Sequence, residues 1–255
     1  MIDITEELAR KCLTVVDAGL VSGLGVPELG KMCVEAAINY ALGSPHGDQP
    51  KCGAKDVVAQ TLRRLKIRLN DAKWSSDQAR TKGLRRLALA QLGSAGVLDE
   101  VEFAKRVVTL AIRVSVPEAL RAAAKLAKGQ HQVALLRAAT ACESDPTHAN
   151  ALEANAAADA AYAANADAAY AAYAAADAAA NAAAYAAANA ADSAANANAA
   201  AAYVAAYAAA NAANAANAAY ARDSSLATFC ESVVQILIDM KAPGCQWLWL
   251  TEATV

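Results

Sequence analysis

The sequence has no long apolar run, no Cys-x-x-Cys pair and no extended stretch that alternates apolar with polar residues. The first absence excludes a membrane-spanning helix, which needs about 20 consecutive apolar residues. The second leaves a structural zinc site with little support, and we expect neither a metal nor a cofactor. The third excludes an extensive sheet, so that only 112–116 and the last few residues could be short strands.

We expect no secretory signal, because the first twelve residues are acidic at the start and lack an apolar core. We therefore expect a cytoplasmic protein whose six cysteines are reduced and mostly buried as small apolar residues. The front half has enough Leu, Val and Ile to bury a core without disulfides.

Helix signals follow one another along the chain, so the expected fold class is all-α. Thr5, Ser75 or Ser76, and Asp99 can cap helix starts, and Pro117 suits a first helical turn. An apolar tail at 245–250 is expected to dock into a groove. The pattern predicts helices at about 5–17, 31–42, 56–69, 76–93, 99–114, 117–129, 131–142 and 223–240.

Alanine dominates the rear of the chain, where it occupies 47 of the 71 positions at 151–221. This composition predicts helices with a nearly pure methyl face, which can approach another alanine face closely. The partner face would belong to the same chain or to a second copy, and we expect a homo-oligomer. A solvated spacer is the alternative. Loss of phase in the polar stripe predicts bends near 164–168 and 192–199.

Charge divides the chain into a basic front and an acidic rear. Residues 1–146 carry 21 Lys and Arg against 16 Asp and Glu, whereas residues 147–255 carry 2 against 9. We predict three parts: a basic helical domain at 1–146, an alanine-rich helical region at 147–222, and a C-terminal helix with its apolar tail at 223–255. The stretch 54–86, with ten basic residues against three acidic ones, would attract phosphates.

Cys33 is the candidate nucleophile. It is predicted close to a helix N-terminus, where the helix dipole favours a reactive thiolate. His46 and Asp48 follow at 13 and 15 residues, as a possible base and its orienting carboxylate in a thiol hydrolase. A core thiol followed by a Pro-flanked turn explains the same residues, and both alternatives stay open.

Candidate anion-binding residues lie in and after a glycine-rich loop at 19–30. The loop and the following helix start could cradle a phosphate, although the Walker spacing is missing and a plain helix connection is the alternative. The basic stretch at 54–86 also contains Arg side chains, whose geometry matches phosphates, and an indole that can stack on a base. A solvated helix face is the alternative for this stretch. The candidate ligand-binding residues are Lys31, Arg63, Arg64, Trp74, Arg80, Lys82, Arg85 and Arg86.

A resemblance to known proteins is carried by four segments: CLTVVDAGLVSGLG, GKMCVEAAINYALGSPHGD, RLNDAKWSSDQARTKGLRRLALAQLGSAG and ILIDMKAPGCQWLWL. They resemble an uncharacterised family of phage- and bacterium-encoded proteins, over about 12–125 in the front part. The alanine tract resembles the Ala/Asp/Tyr-rich stretches of proteins labelled as immunity proteins. The resemblance brings no activity or catalytic residues, and implies only a setting of conflict between phage and host.

The function we expect is non-catalytic binding, sequestration or inhibition, directed at an anionic, nucleotide-like ligand or at a protein partner. A cysteine hydrolase that uses Cys33 and His46 is the alternative from another class. A purely structural helical scaffold is the third.

Overall fold

A computed structural model describes residues 3–47, 57–125, 127–164 and 219–252, together with five alanines between the last two ranges. The side chains of 162–164 and 219–221 are outside the description, as is Asp48. The described residues form helices and no strand, which confirms the all-α class; two isolated bridges join Leu20 and Gly25 to Met32. None of the described helices is long and apolar enough to cross a membrane.

The helices are numbered here in chain order. They are α1 (Glu6–Asp17), α2 (Val34–Ala41), α3 (Gln60–Asn70), α4 (Asp77–Ala90), α5 (Glu100–Leu110), α6 (Val116–Ala124), α7 (Gln130–Ser144), α8 (His148–Ala164) and α9 (Ala219–Asp239), with a π-helical turn at Ala111–Ser115 and a 3-10 helix at Pro243–Thr251.

The chain packs into two compact units. The first unit is Met1–Phe103 with Ala227–Val255, and the second unit is Ala104–Leu226. These limits differ from 146 and 222, where the sequence predicts the borders of three domains. That three-part division stays a prediction.

Three predicted helix starts are confirmed by their caps. The Thr5 hydroxyl accepts a hydrogen bond from the Leu8 amide at 3.3 Å, and the Ser76 hydroxyl accepts one from the Ala79 amide at 3.1 Å. The Asp99 carboxylate accepts from the amide of Glu102 at 3.0 Å. Such caps satisfy amides that have no partner within the helix, and each stabilises a helix by about 1 kcal/mol.

Other boundaries differ from the prediction. Helix α2 starts at Val34 rather than at 31, because the Met32 carbonyl and the Cys33 amide hydrogen-bond to the preceding loop. Residues 112–116, a possible strand in the sequence, are helical, and a π-helical turn ends at Ser115, two residues before Pro117. Proline has no amide hydrogen, so the helical bond pattern is interrupted at this position.

In the first unit, helices α1 to α4 pack around a core of Leu, Val and Ile, and the 3-10 helix packs on α1 and α4. Leu248 and Leu250 are buried, and the Trp247 indole donates to the Ile4 carbonyl at 3.0 Å. Gly244 lies so close to the Leu89 carbonyl that a Cβ would collide with it. The apolar tail is therefore part of the core of this unit.

In the second unit, α8 packs on α7 and α6 through a face made of alanine. Its buried positions are Ala151, Ala154, Ala158 and Ala161, spaced three or four residues apart. The alanines described between the two longer ranges are helical and buried as well: Ala202, Ala205, Ala206, Ala208 and Ala209. The described alanines of this region are thus helical, and one face of α8 is buried through methyl groups. The predicted bends near 164–168 and 192–199 fall almost wholly outside the described residues.

Candidate functional site

Cys33 lies at the N-cap of α2 and is buried, with 2% of its surface exposed. Its Sγ accepts a hydrogen bond from the Ala36 amide at 3.3 Å. The ring of His46 contacts the Gly25 carbonyl through Nε2 at 3.3 Å, while its buried Nδ1 has no hydrogen-bond partner among the described residues. Because a nucleophilic thiol must reach its substrate, this burial favours a capping and packing role for Cys33. The hydrolase alternative stays a prediction.

A buried ionic cluster joins three helices of the first unit. Arg63 on α3 donates from Nε to Glu35 Oε1 on α2 at 2.6 Å. Lys66, also on α3, donates from Nζ to Glu35 Oε2 and to the Gln91 side-chain oxygen at the end of α4. Glu35 and Lys66 are fully buried. Arg63, a predicted anion ligand, therefore binds a carboxylate of its own chain.

The electrostatics of this cluster favour an ionised Glu35. Burial raises the pKa of this carboxyl, but the Lys66 and Arg63 charges outweigh burial and hold the pKa below its usual value of 4.5. For Lys66, burial is the largest effect and lowers the pKa of the ammonium group, while Glu35 opposes it. Two buried cations thus share one buried carboxylate, which makes Glu35 the residue that the cluster can least lose.

The sequence carries a signal for this cluster that pattern reasoning missed. Lys66 lies four residues after Leu62 and three before Leu69, on the apolar stripe of α3. A lysine on such a stripe faces the core and requires a partner. Glu35 is the acid of a helix that is otherwise almost entirely uncharged.

Trp74 and Arg80 are buried in the first unit. The Trp74 indole donates to the Leu69 carbonyl at 2.9 Å, and its ring lies against Gly83, where a Cβ would overlap it. Arg80 donates from Nε to the Asn70 carbonyl at 2.8 Å and pairs with Asp77. In this arrangement the indole has no free face on which a base could stack.

Of the remaining cations predicted to bind an anion, three form ion pairs within the chain and two form none with a described residue. Arg85 binds both carboxylate oxygens of Asp17, at 2.6 and 2.9 Å, and Arg86 pairs with Glu231 at 3.1 Å. Lys31 is exposed and pairs with Glu28 at 2.8 Å. Arg64 is half-buried and Lys82 exposed, and within the described ranges neither makes an ion pair. These residues do not form one continuous exposed cationic surface.

Residues 20–33, here called the braced loop, are held by side chains at the C-terminal end of α3 and on α4. The Thr81 hydroxyl accepts from the Leu20 amide and the Asp71 carboxylate from the Gly23 amide, both at 2.8 Å. The Asn70 side chain donates to the Val21 carbonyl at 2.9 Å and accepts from an amide at the start of α2. These contacts fix the backbone at both ends of the loop.

Backbone hydrogen bonds close the braced loop on itself. The Val26 amide donates to the Lys31 carbonyl at 2.8 Å, and the Cys33 amide donates to the Leu24 carbonyl at 3.2 Å. Gly25 has φ +72° and lies against the Lys31 carbonyl, so only glycine fits there. Because these amides donate within the loop, they are not available to a phosphate.

The braced loop presents apolar side chains to solvent. Leu24, Val26 and Leu29 are 36%, 46% and 55% exposed. Three large apolar side chains are thus exposed within six positions of a loop whose backbone is fixed, and such loops are characteristic positions for binding residues. Sequence reasoning found the glycines of this loop and missed the side chains between them.

The comparisons give no relative from which a function could be transferred. No family model, no curated protein and no solved structure matches the chain. No group of three or more His, Cys, Asp or Glu that could hold a metal ion occurs within the described part of the chain.

Proposed function

We propose that this protein is a non-catalytic binding protein that docks a partner protein on its braced loop. The observation that carries the proposal is the exposure of Leu24, Val26 and Leu29 on a backbone fixed by hydrogen bonds. A surface that is ordered before binding loses less conformational entropy when a partner arrives. Leu29, the most exposed of the three, is the expected anchor.

The chemistry of the loop fits a protein better than an anionic ligand. The apolar side chains lie beside the exposed Glu28–Lys31 ion pair, and an apolar centre with a charged rim is the usual arrangement of protein interfaces. Five of the seven cations predicted to bind an anion pair with carboxylates of their own chain. The partner we infer carries an apolar groove with charges at its rim.

A setting of phage–host conflict is implied by the resemblance of the front segments alone. In that setting the partner would be a protein that this chain inhibits or protects. The proposal itself rests on the braced loop and holds for a partner of any origin.

Site-specific photocrosslinking in the native host tests the proposal. A benzophenone amino acid replaces Leu29 in one variant and Val97 in the matched control. Val97 is an exposed apolar loop residue of the same unit, at 48% exposure. We expect one protein to crosslink from position 29 and not from position 97.

The crosslinked protein is then purified and its affinity for this chain is measured directly. Leu29→Asp should raise the Kd about tenfold or more, the size typical of an interface anchor, whereas Val97→Asp should change it less than about twofold. Equal crosslinking from both positions, the absence of any crosslinked protein, or a Kd that Leu29→Asp leaves unchanged would overturn the proposal.

A further inference from the structure

A groove of about 460 Å³ runs between α7 and α8 in the second unit. Its floor is made of small side chains, and its rim carries Val133, which is 66% exposed. The alanines that line the groove are Ala134, Ala138, Ala141 and Ala157. Small side chains let another helix approach closely, so this groove has the shape to receive one.

Helix α7 is apolar on two sides. Leu135, Ala139 and Cys142 are buried within the second unit, while Val133 and Leu136 are exposed on the other side of the helix. A surface helix of a globular protein normally has one apolar stripe and a polar face opposite it. The second apolar side of α7 therefore lacks a covering element among the described residues.

Charges at the groove identify a self-complementary surface. Arg137 of α7 and Glu153 of α8 both line it, both are exposed, and neither makes an ion pair with a described residue. In a two-fold symmetric contact, residue i of one copy meets residue j of the other, and the reverse contact forms as well. Because the groove carries one cation and one anion, each copy's cation can pair with the other copy's anion in such a contact.

We propose that this groove is the interface with a second copy of the chain. The two α7–α8 pairs pack with Val133 of each copy on the alanine floor of the other. Arg137 of each copy then lies opposite Glu153 of the other. No residue of the braced loop takes part in this contact, so the dimer can be tested without reference to the partner proposed for the loop.

Light scattering and sedimentation velocity on the full chain test the apolar part of the interface. The expected wild-type mass is twice the 26.1 kDa of one chain. Val133→Glu should raise the dimer Kd about tenfold or more. Leu152→Glu is the matched control, because Leu152 is an exposed apolar residue of α8 that does not line the groove, and it should leave the dimer intact.

Charge reversal tests the two-fold register. Arg137→Glu alone and Glu153→Arg alone should each weaken the dimer, and the double variant should restore it, with circular dichroism confirming that every variant keeps its helices. A wild-type monomer at every concentration overturns the proposal. In that case a loss of stability in Val133→Glu shows that the chain's own residues cover the groove. The proposal is also overturned if Val133→Glu leaves the dimer intact, if Leu152→Glu dissociates it equally, or if the double reversal does not restore it.

Discussion

Replacement of Glu35 by Gln should strongly destabilise the first unit. The substitution keeps the size of the side chain and removes the carboxylate that binds both Arg63 and Lys66. The loss of one partner from a buried ion pair leaves an uncompensated charge, at a cost of about 3–5 kcal/mol. Since a typical domain is stable by about 5–15 kcal/mol, the loss would be a large fraction of the stability of this unit.

Two further variants test whether the loss of stability in Glu35→Gln comes from the burial of the cluster and from its unpaired positive charge. Glu28→Gln breaks another Glu–Lys pair, but the side chains of Glu28 and Lys31 are 61% and 64% exposed, so its effect should be within measurement error. Lys66→Met removes one of the two cations bound to Glu35 and leaves the Arg63–Glu35 pair. It should cost less than Glu35→Gln, about 1 kcal/mol for the bond lost at Gln91.

Urea unfolding followed by tryptophan fluorescence measures these differences. All three tryptophans lie in the first unit, so the signal reports the unit that contains the cluster. The reasoning is refuted if Glu35→Gln and Glu28→Gln lower the free energy of unfolding equally. It is also refuted if Lys66→Met costs more than Glu35→Gln.

Two more outcomes are expected for the first unit. Because the pKa of Glu35 lies below 4.5 in the folded state, the stability difference between wild type and Glu35→Gln should be constant above about pH 4.5 and shrink as the pH falls further; a difference independent of pH in urea titrations would contradict this. Gly83→Ala places a methyl group against the Trp74 ring and should lower the free energy of unfolding by about 1–3 kcal/mol, although Gly→Ala within a helix is otherwise stabilising. A rise in the urea midpoint would contradict this and show that the Trp74 ring moves to make room for the methyl group.

The helices could be predicted from the sequence because their signals are local. Thr5, Ser76 and Asp99 cap helices that follow within a few residues, so a short window of sequence contains both the cap and the amides that it binds. Alanine likewise determines its backbone state without help from distant residues. The start of α2 was misplaced because Met32 bonds to Val21, on the far side of a loop.

The candidate site could not be predicted in the same way, because its residues meet only through tertiary structure. The sequence around Arg63 predicts an exposed cation, because its partner Glu35 lies on a different helix, α2, and meets it only in the folded chain. The glycines of the braced loop predict a turn, but its fixed shape depends on Asn70 and Asp71, about 40 to 50 residues further on. Local charge density therefore predicts an anion site, whereas five of the seven cations that it singles out form ion pairs with carboxylates of the chain; the anion site stays a prediction.

The most direct test of protein docking on the braced loop compares two exposed side chains of the first unit. Calorimetry measures the Kd between the crosslinked partner and each of two variants. Leu29→Asp places a charge at the most exposed apolar position of the braced loop, and Lys82→Glu reverses the charge of an exposed residue outside the loop. Docking on the loop predicts a Kd raised about tenfold or more by the first substitution and almost unchanged by the second. The reverse pattern, strongest at low salt, would contradict it and assign binding to the cations.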